Sequence, residues 1–203
     1  EIEQGIQDAS EAIRLNPEDP DAYKSRGICY CAAGDYEKAI TDLGKAIQLN
    51  PKDDQGYAAR GLAYFNSNNY RQAITEYTKA IHIKRDNTNA LANRALVYLR
   101  IENYPDSIKD ASAALRIVPD DADCLAIRGE AYCHFGNLTL LIKDCTEALS
   151  VDPQHAHAAE VLKLAVSRQD GQFGSGDHAS PQVPVTPTLD TDYCLPPLPP
   201  PPP

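Results

Sequence analysis

Six-residue segments of nearly the same sequence recur along the chain at a constant interval. They read AIRLNP, AIQLNP, AIHIKR, ALRIVP and ALSVDP, and they begin at Ala12, Ala46, Ala80, Ala114 and Ala148, thirty-four residues apart. A fixed period of this length is typical of an array of supersecondary units, in which each unit buries its apolar face against its neighbours. The sequence therefore predicts a stack of similar units along most of the chain.

Equivalent positions of the four blocks 20–53, 54–87, 88–121 and 122–155 carry residues of the same chemical type. One position is large and apolar, a second is Gly or Ala, and a third is always Tyr. These sets are Tyr23, Tyr57, Leu91 and Leu125, then Gly27, Gly61, Ala95 and Gly129, then Tyr30, Tyr64, Tyr98 and Tyr132. Small residues at a crossing let two helices approach closely, so the pattern predicts a tightly paired set of helices in every block.

These sets resemble the tetratricopeptide repeat, a helix–turn–helix unit of thirty-four residues with Pro at its end. The resemblance covers roughly residues 1–168 and implies an all-α fold, a right-handed α-solenoid of antiparallel helix pairs. Residues 1–19 are then the second helix of a truncated repeat, the four blocks are complete repeats, and 156–169 form a capping helix. Leu141 stands where the family has a small residue, and we expect it to splay the helices of the last block.

Helix-capping residues recur with the same period. Asp or Asn precedes each helix of the four blocks, where its side chain can accept a hydrogen bond from the free backbone amides. The residues before the first helices are Asp19, Asp53, Asn87 and Asp121, and those before the second helices are Asp35, Asn69, Asn103 and Asn137. The sequence thus predicts where these eight helices begin.

Composition narrows the classes of partner and compartment. There are 29 acidic against 19 basic residues, for a net charge of −10, and no basic run is interleaved with aromatic residues, which argues against nucleic acid as a ligand. No apolar run approaches the ~20 residues of a membrane span. The six cysteines lack metal-ligand spacing and are expected to be buried, reduced thiols of an intracellular, cytoplasmic protein. The absence of Met suggests a fragment of a longer chain.

Arginine and acidic residues form a second periodic set. The arginines are Arg26, Arg60, Arg94 and Arg128, and sixteen residues after each stand the acids Asp42, Glu76, Asp110 and Asp144. We expect a structural ladder of ion pairs, made either within each block or with the acid of the preceding block. The alternative is that four stacked guanidinium groups bind an acidic ligand, although the row of acids would neutralise them.

A curved stack presents its first helices on the concave side, where the resemblance implies a groove for an extended peptide or a helix from a protein partner. The groove residues implied by the family's pattern are Lys24, Ile28, Ala58, Leu62, Phe65, Asn66, Asn89, Asn93, Leu96, Arg100, Ile127, Glu130 and His134. Leu62, Phe65 and Leu96 offer apolar contact. Asn66, Asn93 and Arg100 offer hydrogen bonds. Leu62 and Leu96 can equally pack between neighbouring first helices.

One subgroup of the family binds the carboxylate end of chaperones through a clamp of Lys, Asn, Asn, Lys and Arg spread over three repeats. Lys24 fits the first position, but Ile28 and Ala59 replace the two Asn residues. Asn89 and Asn93 replace the final Lys and Arg, and starting one block later keeps only Asn93. The chain is therefore predicted to be of the non-clamp type, which disfavours the alternative role of a co-chaperone.

Residues 170–203 hold ten of the sixteen prolines and no Lys or Arg, a composition that predicts a disordered tail. Its end favours the polyproline II helix and resembles ligands of WW and profilin-like domains. The residues of this motif are Leu195, Pro196, Pro197, Leu198 and Pro199. The tail is a docking segment, a spacer, or a ligand for its own or a neighbouring groove, which would be a form of self-association.

No set of residues predicts catalysis, a cofactor or a bound metal. Cys133 and His134, with Cys124 and Cys145 in the same block, come nearest, but their helical positions point them apart. The other histidines are expected to be isolated and to face solvent; they are His82, His155, His157 and His178. The sequence predicts a non-enzymatic scaffold that binds a partner peptide in its groove, or an adaptor whose proline-rich tail is itself the ligand.

Overall fold

The computed structural model describes residues 1–172, with side chains described as far as residue 166. This part of the chain contains helices and turns and no strand. Its helices are α1 (Ile2–Leu15), α2 (Pro20–Ala32), α3 (Tyr36–Leu49), α4 (Asp54–Asn66), α5 (Tyr70–Ile83), α6 (Thr88–Arg100), α7 (Tyr104–Leu115), α8 (Ala122–His134), α9 (Leu138–Val151) and α10 (Ala156–Gln172). The all-α prediction is confirmed. The tail motif Leu195–Pro199 lies outside the described residues.

The eight capping residues of the sequence pattern all lie at helix N-termini. Asp19 accepts a hydrogen bond from the backbone amide of Asp21, and Pro20 follows it at the first helical position, where a missing N–H costs nothing. Asn69 caps α5 in the same way through the amide of Gln72. The six others accept equivalent bonds at the starts of α3, α4, α6, α7, α8 and α9.

The two helices of each repeat cross at a pair of size-matched residues. A Cβ built on Gly27 would lie 2.7 Å from Leu43 Cγ, and one on Gly61 would lie 2.8 Å from Tyr77 Cε1. In the third repeat the first helix carries Ala at this position, and the facing residue is also Ala. The facing pairs are Gly27 with Leu43, Gly61 with Tyr77, Ala95 with Ala111, and Gly129 with Cys145. A larger side chain on one helix thus fits into the space left where the other helix has glycine.

The expected splaying at Leu141 does not occur. The Leu141 side chain is completely buried in the cluster that also contains Cys145 and Leu125. A Cβ on Gly129 would lie 2.9 Å from Cys145 Sγ, so the last crossing is as close as the first two. The last repeat accepts the larger residue because its neighbour at the crossing, Cys145, is smaller than Leu43 or Tyr77.

Helix-to-helix contacts define an inner and an outer layer. The helices α2, α4, α6, α8 and α10, here called the inner helices, each touch the next inner helix along the stack. Among the described residues, the outer helices α1, α3, α5, α7 and α9 make no contact with one another. The stack therefore curves with its inner helices on the concave side. No helix of the described part is both long and apolar enough to cross a membrane.

Candidate binding groove

A hollow on the concave side lies between α6, α8 and the start of α10. We call it the main cavity, and its volume is about 220 Å³. It is lined by Thr88, Asn89, Ala92, Asn93, Leu96 and Arg100 from α6, Asp121, Asp123 and Ile127 from the start of α8, and His155 and His157 from the start of α10. The structure thus brings together five of the predicted groove residues at one place: Asn89, Asn93, Leu96, Arg100 and Ile127.

Two asparagines on one face of α6 form a fixed polar element of the main cavity. Asn93 is only 4 % exposed, and its Nδ2 donates to the backbone oxygen and to Oδ1 of Asn89, both at 2.9 Å. Leu96 lies one turn further along the helix, and Ile127 faces it from α8 with 6 % exposure. The cavity therefore combines an oriented amide pair with an apolar floor.

His155 is buried and links the start of α10 to α8 at the end of the main cavity. This corrects the expectation that the histidine faces solvent. It is 7 % exposed and occupies the N-cap position of α10, where its Nδ1 accepts the backbone amide of Ala158 at 3.1 Å. Its Nε2 lies 3.0 Å from Asp123 Oδ1. Because Nδ1 accepts a hydrogen bond, Nε2 is the nitrogen that carries the proton and donates to Asp123.

His157 was also expected to face solvent, yet its side chain is only 11 % exposed and its Nε2 lies 2.9 Å from Glu130 Oε2. The repeat register offered the missed signal. His155 is thirty-four residues after the N-cap Asp121, and His157 is thirty-four after Asp123. Both histidines therefore continue rows that belong to the groove.

The first part of the predicted groove is more closely packed. Lys24 Nζ lies 2.8 Å from both Asp21 Oδ1 and Asp53 Oδ2. Burial acts to lower the pKa of Lys24, but the hydrogen bonds with these carboxylates outweigh it and the pKa is raised. Lys24 is thus a paired ion rather than a free cation of the groove.

Five further predicted groove residues lie along α2 and α4 and differ in how far they are open. Ala58 is buried and lines a second, smaller hollow of about 120 Å³ near the start of α6. Leu62 packs against the buried cluster that contains Cys31, Leu43 and Ala63. Ile28, Phe65 and Asn66 are half-buried. Asn66 Nδ2 lies 3.7 Å from Cys31 Sγ, and the Phe65 ring contacts Tyr70.

The last two predicted groove residues do not line the main cavity. Glu130 faces His157, as described above. The His134 ring stacks on Tyr104, with ring centroids 4.0 Å apart. His134 therefore joins α8 to the start of the preceding outer helix α7.

The arginine and acid rows form ion pairs within each repeat, which decides between the two alternatives of the sequence. Arg26 Nε lies 2.6 Å from Asp42 Oδ2, and Arg94 Nε lies 2.6 Å from Asp110 Oδ2. Arg60 pairs in the same way with Glu76, and Arg128 with Asp144. The hydrogen bonds that the two guanidinium groups donate to Asp42 and Asp144 raise the pKa of Arg26 and Arg128. The four acids are nearly buried, so the ladder lies within the helix packing and not in the main cavity.

A hydroxyl from the preceding repeat completes most rungs of the ladder. Arg26 Nη1 donates to Ser10 Oγ at 3.2 Å, and Arg94 Nη1 donates to Thr78 Oγ1 at 2.8 Å. Arg128 Nη1 donates to Ser112 Oγ in the same way. In the second repeat the equivalent residue is Gly44, and there Lys79 adds a second cation to Glu76. The ladder thus links neighbouring repeats as well as the helices of one repeat.

Sequence models of a known repeat match most of this helical stack. The model described as TPR repeat matches residues 27–68 and 61–102, and two described as tetratricopeptide repeat match residues 9–41 and 92–140. The matches together run from residue 9 to residue 140, well over half of the 203 residues. The chain belongs to the tetratricopeptide repeat family. No curated protein sequence matches it.

Solved structures of this family share the fold. YrrB, described as a TPR protein with an unusual peptide-binding site, is 19 % identical with a TM-score of 0.67, over 81 % of this chain and 84 % of its own. MamA from Desulfovibrio magneticus RS-1 is 21 % identical with a TM-score of 0.69, over 76 % and 87 %. The first TPR of Spaghetti (RPAP3), bound to the HSP90 peptide SRMEEVD, is 23 % identical with a TM-score of 0.57, over 59 % and 94 %. The fold is therefore a TPR solenoid.

Proposed function

We propose that this chain is a non-catalytic interaction scaffold that binds a peptide segment of a partner protein along its inner helices. The main cavity carries the proposal because it joins an apolar floor, formed by Leu96 and Ile127, to polar groups at its edge. Pockets of this composition are typical of sites that bind a ligand. The similarity of fold to YrrB, a TPR protein with a peptide-binding site, supports the same assignment.

The amide pair on α6 suits the backbone of a peptide. Within the described residues, Asn93 Oδ1 and Asn89 Nδ2 make no hydrogen bond, since the bonds between the two residues use Asn93 Nδ2. One acceptor and one donor of the amide pair therefore remain available to a ligand. An extended peptide offers the complementary N–H and C=O groups, whatever its side chains are.

We propose that the groove is of the non-clamp type. Ile28 and Ala59 stand at clamp positions that require Asn, and Lys24 is already held between Asp21 and Asp53. Purified chain should show no saturable binding of the labelled peptide SRMEEVD in fluorescence anisotropy at concentrations up to about 1 mM. Micromolar binding would contradict the non-clamp proposal and restore the co-chaperone alternative.

The binding surface is tested by selection from a random peptide library with matched variants. The groove variant is Leu96→Ser, and the control is Ile83→Ser on an outer helix. Selected peptides should lose at least about tenfold in affinity for the groove variant and keep it for the control, because only Leu96 lines the main cavity. Peptides that lose affinity for the control instead would overturn the proposed site.

An intracellular location belongs to the same proposal. None of the described cysteines, which are Cys29, Cys31, Cys124, Cys133 and Cys145, forms a disulfide. Reduced thiols persist most readily in a reducing compartment. The proposal assigns no catalytic activity to the chain.

A further inference from the structure

The concave side carries most of the excess negative charge of the repeats. Residues 1–169 hold 25 acidic and 19 basic residues, a net charge of −6. Outside the ladder, α2, α4, α6 and α8 carry two bases, Lys24 and Arg100. With their N-caps they carry seven acids, which are Asp19, Asp21, Asp53, Asp54, Asp121, Asp123 and Glu130. Seven acids less two bases leave −5, so most of the excess negative charge lies on these four helices and their N-caps.

Helix dipoles leave this net charge unchanged. Each of these four helices adds roughly half a positive charge at its N-terminus and an equal negative charge at its C-terminus. The local balance at the main cavity has the same sign, with Asp121 and Asp123 on its rim and Arg100 at the far end of α6. Asp123 keeps 44 % of its side chain exposed, and His155 engages only one of its oxygens.

The apolar floor sets the second requirement for a ligand. The main cavity has a volume of about 220 Å³ and is floored by Ala92, Leu96 and Ile127. An apolar cavity of about 150 Å³ is large enough to take up benzene, so this one admits one large aromatic or aliphatic side chain. Polar groups on the rim then contact the residues that flank that side chain in the peptide.

We propose, resting on the proposed function, that the partner segment carries a large apolar residue flanked by Lys or Arg, with its basic side toward Asp121 and Asp123. The chain's own residues 173–203 are not this ligand, because they contain Asp177, Asp190 and Asp192 and no Lys or Arg. An acidic peptide would meet the same repulsion. Charge complementarity of this kind selects among partners that share an apolar anchor.

Three labelled peptides test the assignment by fluorescence anisotropy. The first has one Phe flanked on each side by Lys in a neutral Gly and Ser sequence of twelve residues. The second replaces Lys by Glu, and the third replaces Phe by Ala. The Lys and Phe peptide should bind at least about tenfold more tightly than either of the others, and its affinity should fall as salt rises from 50 to 500 mM. Equal or tighter binding of the Glu peptide, or no binding of the first, would overturn the proposal.

Isosteric variants locate the charge effect. Asp121→Asn with Asp123→Asn removes two charges but keeps an N-cap for α8 and an acceptor for His155 Nε2. Asp8→Asn with Asp35→Asn removes two charges outside the inner helices. The first pair should weaken the Lys and Phe peptide about fivefold or more, and the second should change its affinity less than about twofold. Equal effects of the two pairs would assign the attraction to net charge and overturn the site.

The library selection keeps this proposal separate from the proposed function. Groove-dependent peptides rich in Lys or Arg around an apolar residue would support both. Groove-dependent peptides that are acidic or uncharged would overturn the charge assignment and leave the scaffold function standing. Basic peptides that bind equally to the groove variant Leu96→Ser would overturn both.

Discussion

Glu102 occupies the turn between the two helices of the third repeat with a left-handed backbone, at φ 61°. The equivalent residues are Gly34 at 80°, Asn68 at 59° and Gly136 at 67°. Gly and Asn tolerate this region, whereas other L-residues pay roughly 1–2 kcal/mol to enter it. The third turn is thus closed by the residue least suited to it, and its strain is outweighed by the packing of the helices on either side.

Replacing Glu102 should therefore separate backbone strain from side-chain effects. Glu102→Gly should be about 1 kcal/mol more stable than Glu102→Ala, because only Gly removes the left-handed penalty. Urea unfolding followed by circular dichroism measures the difference. The same pair of changes at exposed Lys109, inside α7, should give the opposite order, because Gly destabilises an ordinary helix. A Gly variant of Glu102 that is less stable than the Ala variant would contradict the assignment of strain.

Among the described residues, Tyr77 is the largest side chain that is completely buried. Its ring covers Gly61, but its hydroxyl has no hydrogen-bond partner within the described part of the chain. Burial raises the pKa of Tyr77 well above its ordinary value, so the hydroxyl stays protonated. Tyr77→Phe should keep the ring packing and lose only an unsatisfied group, which gives equal stability or a gain of about 1 kcal/mol. Thermal unfolding tests this, and a loss above about 1 kcal/mol would show that the hydroxyl has a partner.

At the scale of whole helices, local sequence signals were sufficient to predict where helices start. They were insufficient to predict which side chains on different helices pair with each other. Asp35 caps α3 through an amide three residues away, so the sequence alone predicts this helix start. The candidate partners of Arg26 are Asp42, sixteen residues later in its own repeat, and Asp8, eighteen residues earlier in the preceding one, and only the packed structure decides. The role of His155 was not predicted because imidazole is an unusual helix cap and because its second partner, Asp123, lies thirty-two residues earlier.

Each rung of the ladder joins an inner helix to an outer helix through a buried ion pair. Removing the arginine and removing the acid should have different effects on stability. In the third repeat the Arg94 side chain is 15 % exposed and that of Asp110 is 5 % exposed. A stranded carboxylate can take up a proton, whereas a guanidinium cannot release one. Asp110→Leu should therefore cost roughly 3–5 kcal/mol at both pH 5 and pH 8. Arg94→Leu should cost more at pH 8 than at pH 5, since protonation of Asp110 relieves it only at the lower pH.

The double variant Arg94→Leu with Asp110→Leu completes this test. Removing both charges leaves no stranded ion, so most of the lost stability should return. Urea unfolding at the two pH values provides all the free energies. Losses from the two single variants that are equal, small and unaffected by pH would show that the pair is solvated and would contradict its burial.

For the molecule as a whole, the repeat period predicted the stack and its concave side, yet it could not predict where the groove opens. The positions Ala58 and Ala92 are equivalent in the repeat, but the first is buried beside a small hollow and the second lies in the main cavity. The difference arises at the end of the stack, where α10 begins with His155 and His157. A cavity between three helices depends on all three, and the register alone does not reveal it.

The capping helix α10 should hold the last repeat in place and leave the first repeats untouched. Its buried residues Ala158, Val161 and Ala165 share one core cluster with Leu125 and Leu141. In a stack each repeat contacts only its neighbours, so a loss at one end is felt locally. A chain ending after residue 152 should show backbone amides of α8 and α9 that exchange with deuterium at least about tenfold faster, while those of α2 to α5 exchange as before.

The matched control is a chain ending after residue 172, which keeps α10 and should exchange like the full chain throughout the repeats. The main cavity should be lost in the shorter chain because His155 and His157 form one of its walls. Groove-dependent peptides should therefore bind the control and not the shorter chain. Equally faster exchange in all repeats of the shorter chain would mean that the stack unfolds as one unit, and the local coupling that places the groove at this end would be wrong.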